Sequence, residues 1–132
     1  MTAVDPWYSI EEASQRTGVS AHTLRYYERI GLLEPVGRAT SGHRRYSDGN
    51  LSSVTFLTLL RQTGMPIREM LRFVALTRAG DQTVPDRVEV LEAHRAALAE
   101  QIERLNQHFA AITHKIDVYR GLLEQLSEKE YA

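Results

Sequence analysis

The sequence predicts a mainly α chain: a small helix-turn-helix domain with a wing, followed by one long coiled-coil helix. Three observations predict it. Two capped helices flank a Gly-containing turn, a Pro/Gly-interrupted stretch follows and runs into Arg44-Arg45-Tyr46, and an apolar 3-4 repeat then holds over more than five heptads. The 132 residues suffice for one ordinary domain, or for a small domain plus one long element. With 42% of residues hydrophobic and placed periodically, enough apolar surface is available to offset chain entropy.

The first helix starts at Ser9-Ile10-Glu11-Glu12, a capping box in which the Ser9 hydroxyl and the Glu12 carboxylate each accept a free backbone N–H, and it ends at Gly18. Ser20 caps a second helix running through Thr23, Leu24, Arg25, Tyr26, Tyr27 and Glu28 until Gly31. Two short helices around such a turn outline a helix-turn-helix, an outline many helical hairpins share. Residues 32–46 contain Pro35, Gly37 and Gly42 with apolar residues only at the two ends, which predicts a short hairpin with an Arg-bearing tip, a wing. Ser47 caps a third helix carrying Leu51, Val54, Phe56, Leu57, Leu59 and Leu60, closed by Gly64. Met65-Pro66-Ile67 forms the next turn, and a fourth helix carries Met70, Leu71, Phe73, Val74 and Leu76 before Gly80. Leu24, Ile30, Leu32, Leu57 and Leu60 are the expected core, whereas Tyr26 and Tyr46 fit either core or surface.

Thr83 is expected to cap the last helix, with Pro85 tolerated in its first turn. Its seam reads Val88, Leu91, Arg95, Leu98, Ile102, Leu105, Phe109, Ile112, Ile116, Tyr119, Leu123 and Leu126, eleven of the twelve being apolar. A stripe this narrow cannot be buried by its own helix, so it predicts a two-chain coiled coil spanning about 55 Å between residues 84 and 120. A fold-back within one chain is the alternative, and Gly121 is the plausible break for it. Arg95 reads as a snorkelling or paired residue that sets register.

The net charge of -1 hides a split. Residues 1–80 carry ten Arg, no Lys and seven Asp or Glu (+3), whereas residues 81–132 carry six basic and ten acidic groups (-4). Such asymmetry points the first part toward a polyanion, the alternative being a solvated surface of mixed charge. The all-Arg usage favours planar recognition of phosphate and guanine edges. Cysteine is absent, which removes disulfides, thiolate metal sites, iron-sulfur clusters and thiol redox sensing. His94, His108 and His114 do not repeat the spacing of a helical metal site, so no metal and no cofactor is expected. Nothing resembles a catalytic constellation: there is no cysteine nucleophile, glycine-rich phosphate loop or His-Glu pairing on one helix. Met1 to Trp7 does not read as a secretory signal and no stretch approaches about 18 consecutive apolar residues, so the chain is expected to be soluble and cytoplasmic.

Three motifs stand in order: Thr23-Leu24-Arg25-Tyr26-Tyr27-Glu28 with Gly31-Leu32-Leu33; Arg38 with Ser41-Gly42-His43-Arg44-Arg45-Tyr46-Ser47; and Leu60-Arg61-Gln62-Thr63-Gly64-Met65-Pro66-Ile67. Together they closely resemble the MerR family of bacterial transcription regulators. The resemblance implies a winged helix-turn-helix DNA-binding domain over residues 1–80. Residues 81–132 would be a coiled-coil dimerisation helix with a short C-terminal tail, pairing antiparallel with its twin. It implies binding to pseudo-palindromic promoter DNA with a long spacer, which activated members bend and untwist for RNA polymerase. The chain looks most like short members related to aldehyde-responsive regulators, without an appended drug-binding domain.

Carried over by position, Arg25 and Tyr27 match DNA-contacting residues, with His22 and Thr23 on the part of the helix that enters the groove and Tyr26 beside them. An arginine can hold phosphate or the O6 and N7 of guanine, and a tyrosine hydroxyl can reach phosphate. Arg38 and Arg44 match wing contacts, Arg45 occupies a variable position, and His43 stands where the family usually has an aromatic residue. Arg61 and Arg68 flank a turn resembling the second wing. The partners implied are double-stranded promoter DNA, a second copy of the chain, RNA polymerase, and either a small organic effector near Phe73, Tyr119 and Leu122 or none. Metal-sensing and aldehyde-responsive relatives carry cysteines at places that here hold other residues. A simple repressor and a coiled-coil adaptor binding protein remain the alternatives.

Overall fold

The structure, a computed structural model, describes residues 7–34, 37–38, 42 and 44–131. Along the described chain run α1 (Ile10–Thr17), α2 (Ala21–Arg29), β1 (Gly37–Arg38), β2 (Arg44–Arg45), α3 (Asp48–Gln62), α4 (Ile67–Ala79), a 3-10 turn (Asp81–Thr83) and α5 (Val84–Tyr131). The chain divides into two compact units, Met1–Leu91 and Glu92–Ala132. The first is a winged helix-turn-helix, and the second is the remainder of α5.

Local side-chain chemistry accounts for where the first helices begin. Ser9 Oγ accepts the Glu12 N–H at 3.1 Å while the Ser9 N–H donates to Glu12 Oε1 at 3.2 Å, closing the capping box of α1. Gly18 ends that helix in the left-handed region at φ 75°, where a side chain would be strained, and its N–H donates to Ser14 O at 2.9 Å. Ser20 then caps α2, its Oγ accepting the Thr23 N–H at 3.1 Å. A second box, Ser47 with Asn50, starts α3 with bonds of 3.1 and 2.9 Å.

α1 packs on α2 and α3, and α3 on α4, around one core. Leu24, Leu32, Leu57 and Leu60 are buried as expected, together with Ala13, Val54, Met65 and Met70, whereas Ile30 is half-buried at the edge of the cluster. Each fully buried leucine contributes roughly 1.5 to 3 kcal/mol. Tyr46 is fully enclosed, which assigns its ring to the core.

The junction into α5 differs from expectation. Thr83 does not cap the helix through a backbone N–H; it is buried and its hydroxyl points back, its one proton shared between Leu76 O at 2.5 Å and Gly80 O at 2.8 Å. Arg87 completes the knot, its Nε donating to Thr83 Oγ1 at 3.0 Å and its Nη2 to Gly80 O at 2.5 Å. These bonds satisfy carbonyls left open at the end of α4 and bind α4 to the first turn of α5. Gly80 sits at φ 113°, ψ -177°, a conformation essentially confined to glycine, and a Cβ there would lie 2.7 Å from Gln82 Oε1. Gly80→Ala is therefore expected to destabilise the first unit by roughly 1 to 3 kcal/mol. Urea unfolding followed by circular dichroism checks this, and an unshifted midpoint refutes the strain.

The first unit also extends past residue 80, because the opening turns of α5 pack on its core. Val90, off the seam, is buried there, and Leu91, expected in the seam, is partly buried against the same cluster. No break occurs at Gly121: α5 is one helix from Val84 to Tyr131, so the fold-back alternative is not realised. Leu98 is half-buried, Arg95 exposed, and the seam from Ile102 to Leu126 stands exposed on the single chain.

Candidate nucleic-acid interface

Helix α2 has two faces of opposite character. Leu24 and Tyr27, three residues apart, anchor it in the core. His22, Arg25, Tyr26 and Arg29 recur at the three- and four-residue spacings of another face and are exposed. Thr23 is half-buried beside the cap, its Oγ1 accepting from Ser20 Oγ at 3.0 Å. The Arg29 guanidinium lies 5.5 Å from the centroid of the Tyr26 ring, a cation–π contact that keeps both groups on the surface. Tyr27, expected as a DNA contact, is 6% exposed, whereas Tyr26, which fitted either core or surface, is 36% exposed. The reason is helical phase, since Leu24 and position 27 share the inward face.

In the wing, β1 and β2 pair antiparallel with Gly37 opposite Arg45 and Arg38 opposite Arg44. The backbone of Arg38 and Arg44 is described but their side chains are not, and His43 lies outside the described residues. A bridge between Tyr8 and Tyr46 continues this antiparallel pairing, with N–H···O distances of 2.8 and 2.7 Å. Arg45 is exposed, its guanidinium 4.8 Å from the Trp7 ring centroid, and the same ring lies 3.9 Å from where a Cβ on Gly37 would stand. Trp7, itself partly exposed, therefore packs on the wing at Gly37 and stacks with the Arg45 guanidinium.

Sequence reasoning missed Trp7, Tyr8, Arg16 and Asp48. Arg16 lies over the Tyr8 ring at 4.4 Å, and the Tyr8 hydroxyl hydrogen-bonds to the Asp48 side chain. That bond, with burial, raises the Tyr8 pKa above its ordinary value although Arg16 works the other way. The available signal was an aromatic pair directly ahead of the Ser9 cap, the place of a hydrophobic staple. Arg61 and Arg68 are exposed on either side of the α3–α4 turn, with Arg61 Nη1 donating to Met65 O at 3.5 Å.

An open groove of about 420 Å³ between α3 and α4 is floored by Leu32, Leu33, Phe56, Leu57, Phe73 and Val74. Of the residues considered for an effector, Phe73 lines this groove, while Tyr119 and Leu122 are exposed on α5. Among the described residues no group of three His, Asp, Glu or Cys converges on a position that could hold a metal ion. None of the described helices is long and apolar enough to cross a membrane.

Residues 9–46 match the family described as MerR family regulatory protein, and residues 51–115 match its companion, MerR, DNA binding. The chain belongs to the MerR family. An HTH-type transcriptional regulator of Haemophilus influenzae is 34% identical over 113 residues, covering 86% of this chain and 84% of that protein. Among solved structures, a MerR family transcriptional regulator of Listeria monocytogenes is 36% identical with a TM-score of 0.86, covering 92% of each chain. HiNmlR, a MerR family regulator lacking the sensor domain and bound to promoter DNA, is 35% identical with a TM-score of 0.74, covering 79% of each. As a MerR-family transcriptional regulator, the protein presents an exposed α2 face beside a two-stranded wing.

Proposed function

We propose that two copies of this MerR-family chain bind a pseudo-palindromic promoter spacer and activate transcription by bending and untwisting it. The observation that carries the reading is the exposed face of α2, where His22, Arg25, Tyr26 and Arg29 stand opposite the buried anchors Leu24 and Tyr27. An Arg- and aromatic-bearing helix face of this kind suits a major groove, and the DNA-bound relative supports placing DNA against it. In this reading Arg25 reads a base edge and His22 and Thr23 enter the groove. Arg38, His43, Arg44 and Arg45 on the wing, with Arg61 and Arg68 at the α3–α4 turn, hold phosphates.

Dimerisation through α5 is supported by the exposed seam. A dimer presents two α2 helices at a fixed separation, and straight DNA need not match it, so engaging both half-sites favours a deformed spacer. Deformation costs on the order of 1 to 6 kcal/mol, which contacts from two wings and two helices offset, and a flexible pyrimidine–purine step at the centre lowers it. The protein acts in the cytoplasm by binding, not by catalysis, sharing the promoter with RNA polymerase.

The test is chemical probing of the promoter complex. Hyperreactive base pairs at the spacer centre are expected, and shortening the spacer to ordinary promoter length should make transcription independent of the protein. A regular spacer with polymerase excluded identifies a simple repressor instead. Retention of duplex DNA should also fall steeply with salt; a chain that retains none is an adaptor for protein.

A further inference from the structure

The short segment Trp7-Tyr8, just ahead of α1, carries an inference that rests on the DNA-binding reading above and deepens it. We infer that Trp7 is a positioning residue for the wing: its indole holds the Arg45 guanidinium ready for a DNA phosphate without touching the DNA itself. The wing is too small to order its own side chains. Gly37–Arg38 and Arg44–Arg45 form a hairpin of two residues per strand, which would be marginal in water by itself. The Tyr8–Tyr46 bridge adds a third segment, and its two backbone bonds of 2.8 and 2.7 Å fix how the chain runs past the hairpin. On the core side the Tyr8 hydroxyl bonds to Asp48 at the start of α3 while Arg16 of α1 lies over its ring, so the segment bearing Trp7 is anchored to two helices.

Strand alternation then decides which side chains meet. Tyr8 and Tyr46 are buried in the core, so their neighbours Trp7 and Arg45 go to the opposite face, where both are exposed. With Tyr8 opposite Tyr46 in antiparallel order, Trp7 and Arg45 are diagonal neighbours on that face, a separation an indole and an arginine can span. The guanidinium carbon accordingly stands 4.8 Å from the ring centroid. Gly37, paired with Arg45, presents no side chain there, and the edge of the indole comes within 3.9 Å of the point a Cβ would occupy. A side chain longer than that of alanine at position 37 would compete with the ring. Stacking engages only the face of a guanidinium, and its N–H donors, which lie in the plane, stay open to a phosphate. An arginine held in this way gives up less rotamer freedom when it binds, which is how Trp7 adds affinity.

The test uses the full chain and random duplex DNA. Trp7→Ala is expected to lower affinity roughly threefold to tenfold with little change in the melting curve, and Arg45→Ala to lower it at least as much. In the Arg45→Ala background, removing Trp7 should have no further effect. Trp7→Phe should keep most of the affinity, since a phenyl face also takes a guanidinium, whereas Trp7→Leu, apolar but without that face, should behave like Trp7→Ala. Trp7 is the single tryptophan of the chain, so its fluorescence reports the contact without DNA: Arg45→Ala should increase quenching by acrylamide, because it uncovers a face of the ring. A loss from Trp7→Ala that persists in the Arg45→Ala background identifies a direct DNA contact or a purely structural role and overturns the inference, as does full affinity in Trp7→Leu or unchanged quenching in Arg45→Ala. If the unmodified chain retains no duplex at low salt, the DNA-binding reading falls and the positioning role with it, an outcome that quenching without DNA tells apart from failure of the Trp7–Arg45 contact.

Discussion

Replacing Phe109 and Ile112 together by glutamate is expected to leave monomers of 15.0 kDa and to abolish binding to the promoter site. In the single chain these side chains are 73% and 63% exposed, among the most open apolar groups of α5. Burying such a side chain against a second helix contributes roughly 1.5 to 3 kcal/mol, so two per chain contribute several. The substitution removes that gain and brings four carboxylates into one short stretch of the interface. A mostly surface-exposed helix face tolerates glutamate in the monomer, so helicity should persist. Promoter binding collapses because two linked half-site contacts reinforce each other through effective concentration, an advantage a monomer lacks. Light scattering at micromolar concentration and gel retardation check the two parts. A variant that stays dimeric removes the seam from the interface, and one that is monomeric yet binds as tightly removes the need for two copies.

Neighbours on α2 should fail in opposite ways. Leu24 is fully buried, and Leu24→Ala is expected to cost roughly 2 to 5 kcal/mol, a large part of the stability of a small domain. Its unfolding midpoint should fall sharply, and affinity for cognate and random duplex should be lost together with the fold. Arg25 is exposed, so Arg25→Ala should leave the melting curve unchanged while costing about 1 to 3 kcal/mol at the cognate site and much less on random DNA. Arg44→Ala should instead weaken both DNAs about equally, as expected of a phosphate contact. Thermal unfolding beside titration of the two duplexes separates the cases. Equal losses for Arg25→Ala on both DNAs would remove its role as a base reader.

The features legible in the residues were those with a short-range cause. The Ser9–Glu12 box, the Gly18 turn, the Ser20 and Ser47 caps and the long seam each depend on neighbours within about one or two helical turns, so spacing alone reveals them. The paired Arg38 and Arg44 were reachable for a similar reason, because a short hairpin is specified by its turn residues. What was not legible came from contacts between distant segments. Trp7 under Arg45, and Tyr8 hydrogen-bonded to Asp48, join residues some forty positions apart, and no periodicity connects them.

The two tyrosines of α2 show where this division falls. Amphipathic order made it certain that one face of Ala21–Arg29 turns inward, yet two adjacent, chemically identical aromatics leave their order open to motif reading. Helical phase relative to Leu24 favours Tyr27 on the inward face, and the packed core has room for that ring while Tyr26 goes to the surface. Thr83 follows the same logic: its residue type suits a helix cap, but the end of α4 and Arg87 offer its hydroxyl buried partners, and a buried polar group goes where it is satisfied. Residue type and spacing settle which groups can bond and which face is apolar. Which partner each group takes depends on the volume and open hydrogen-bonding groups that several elements create together once they are packed.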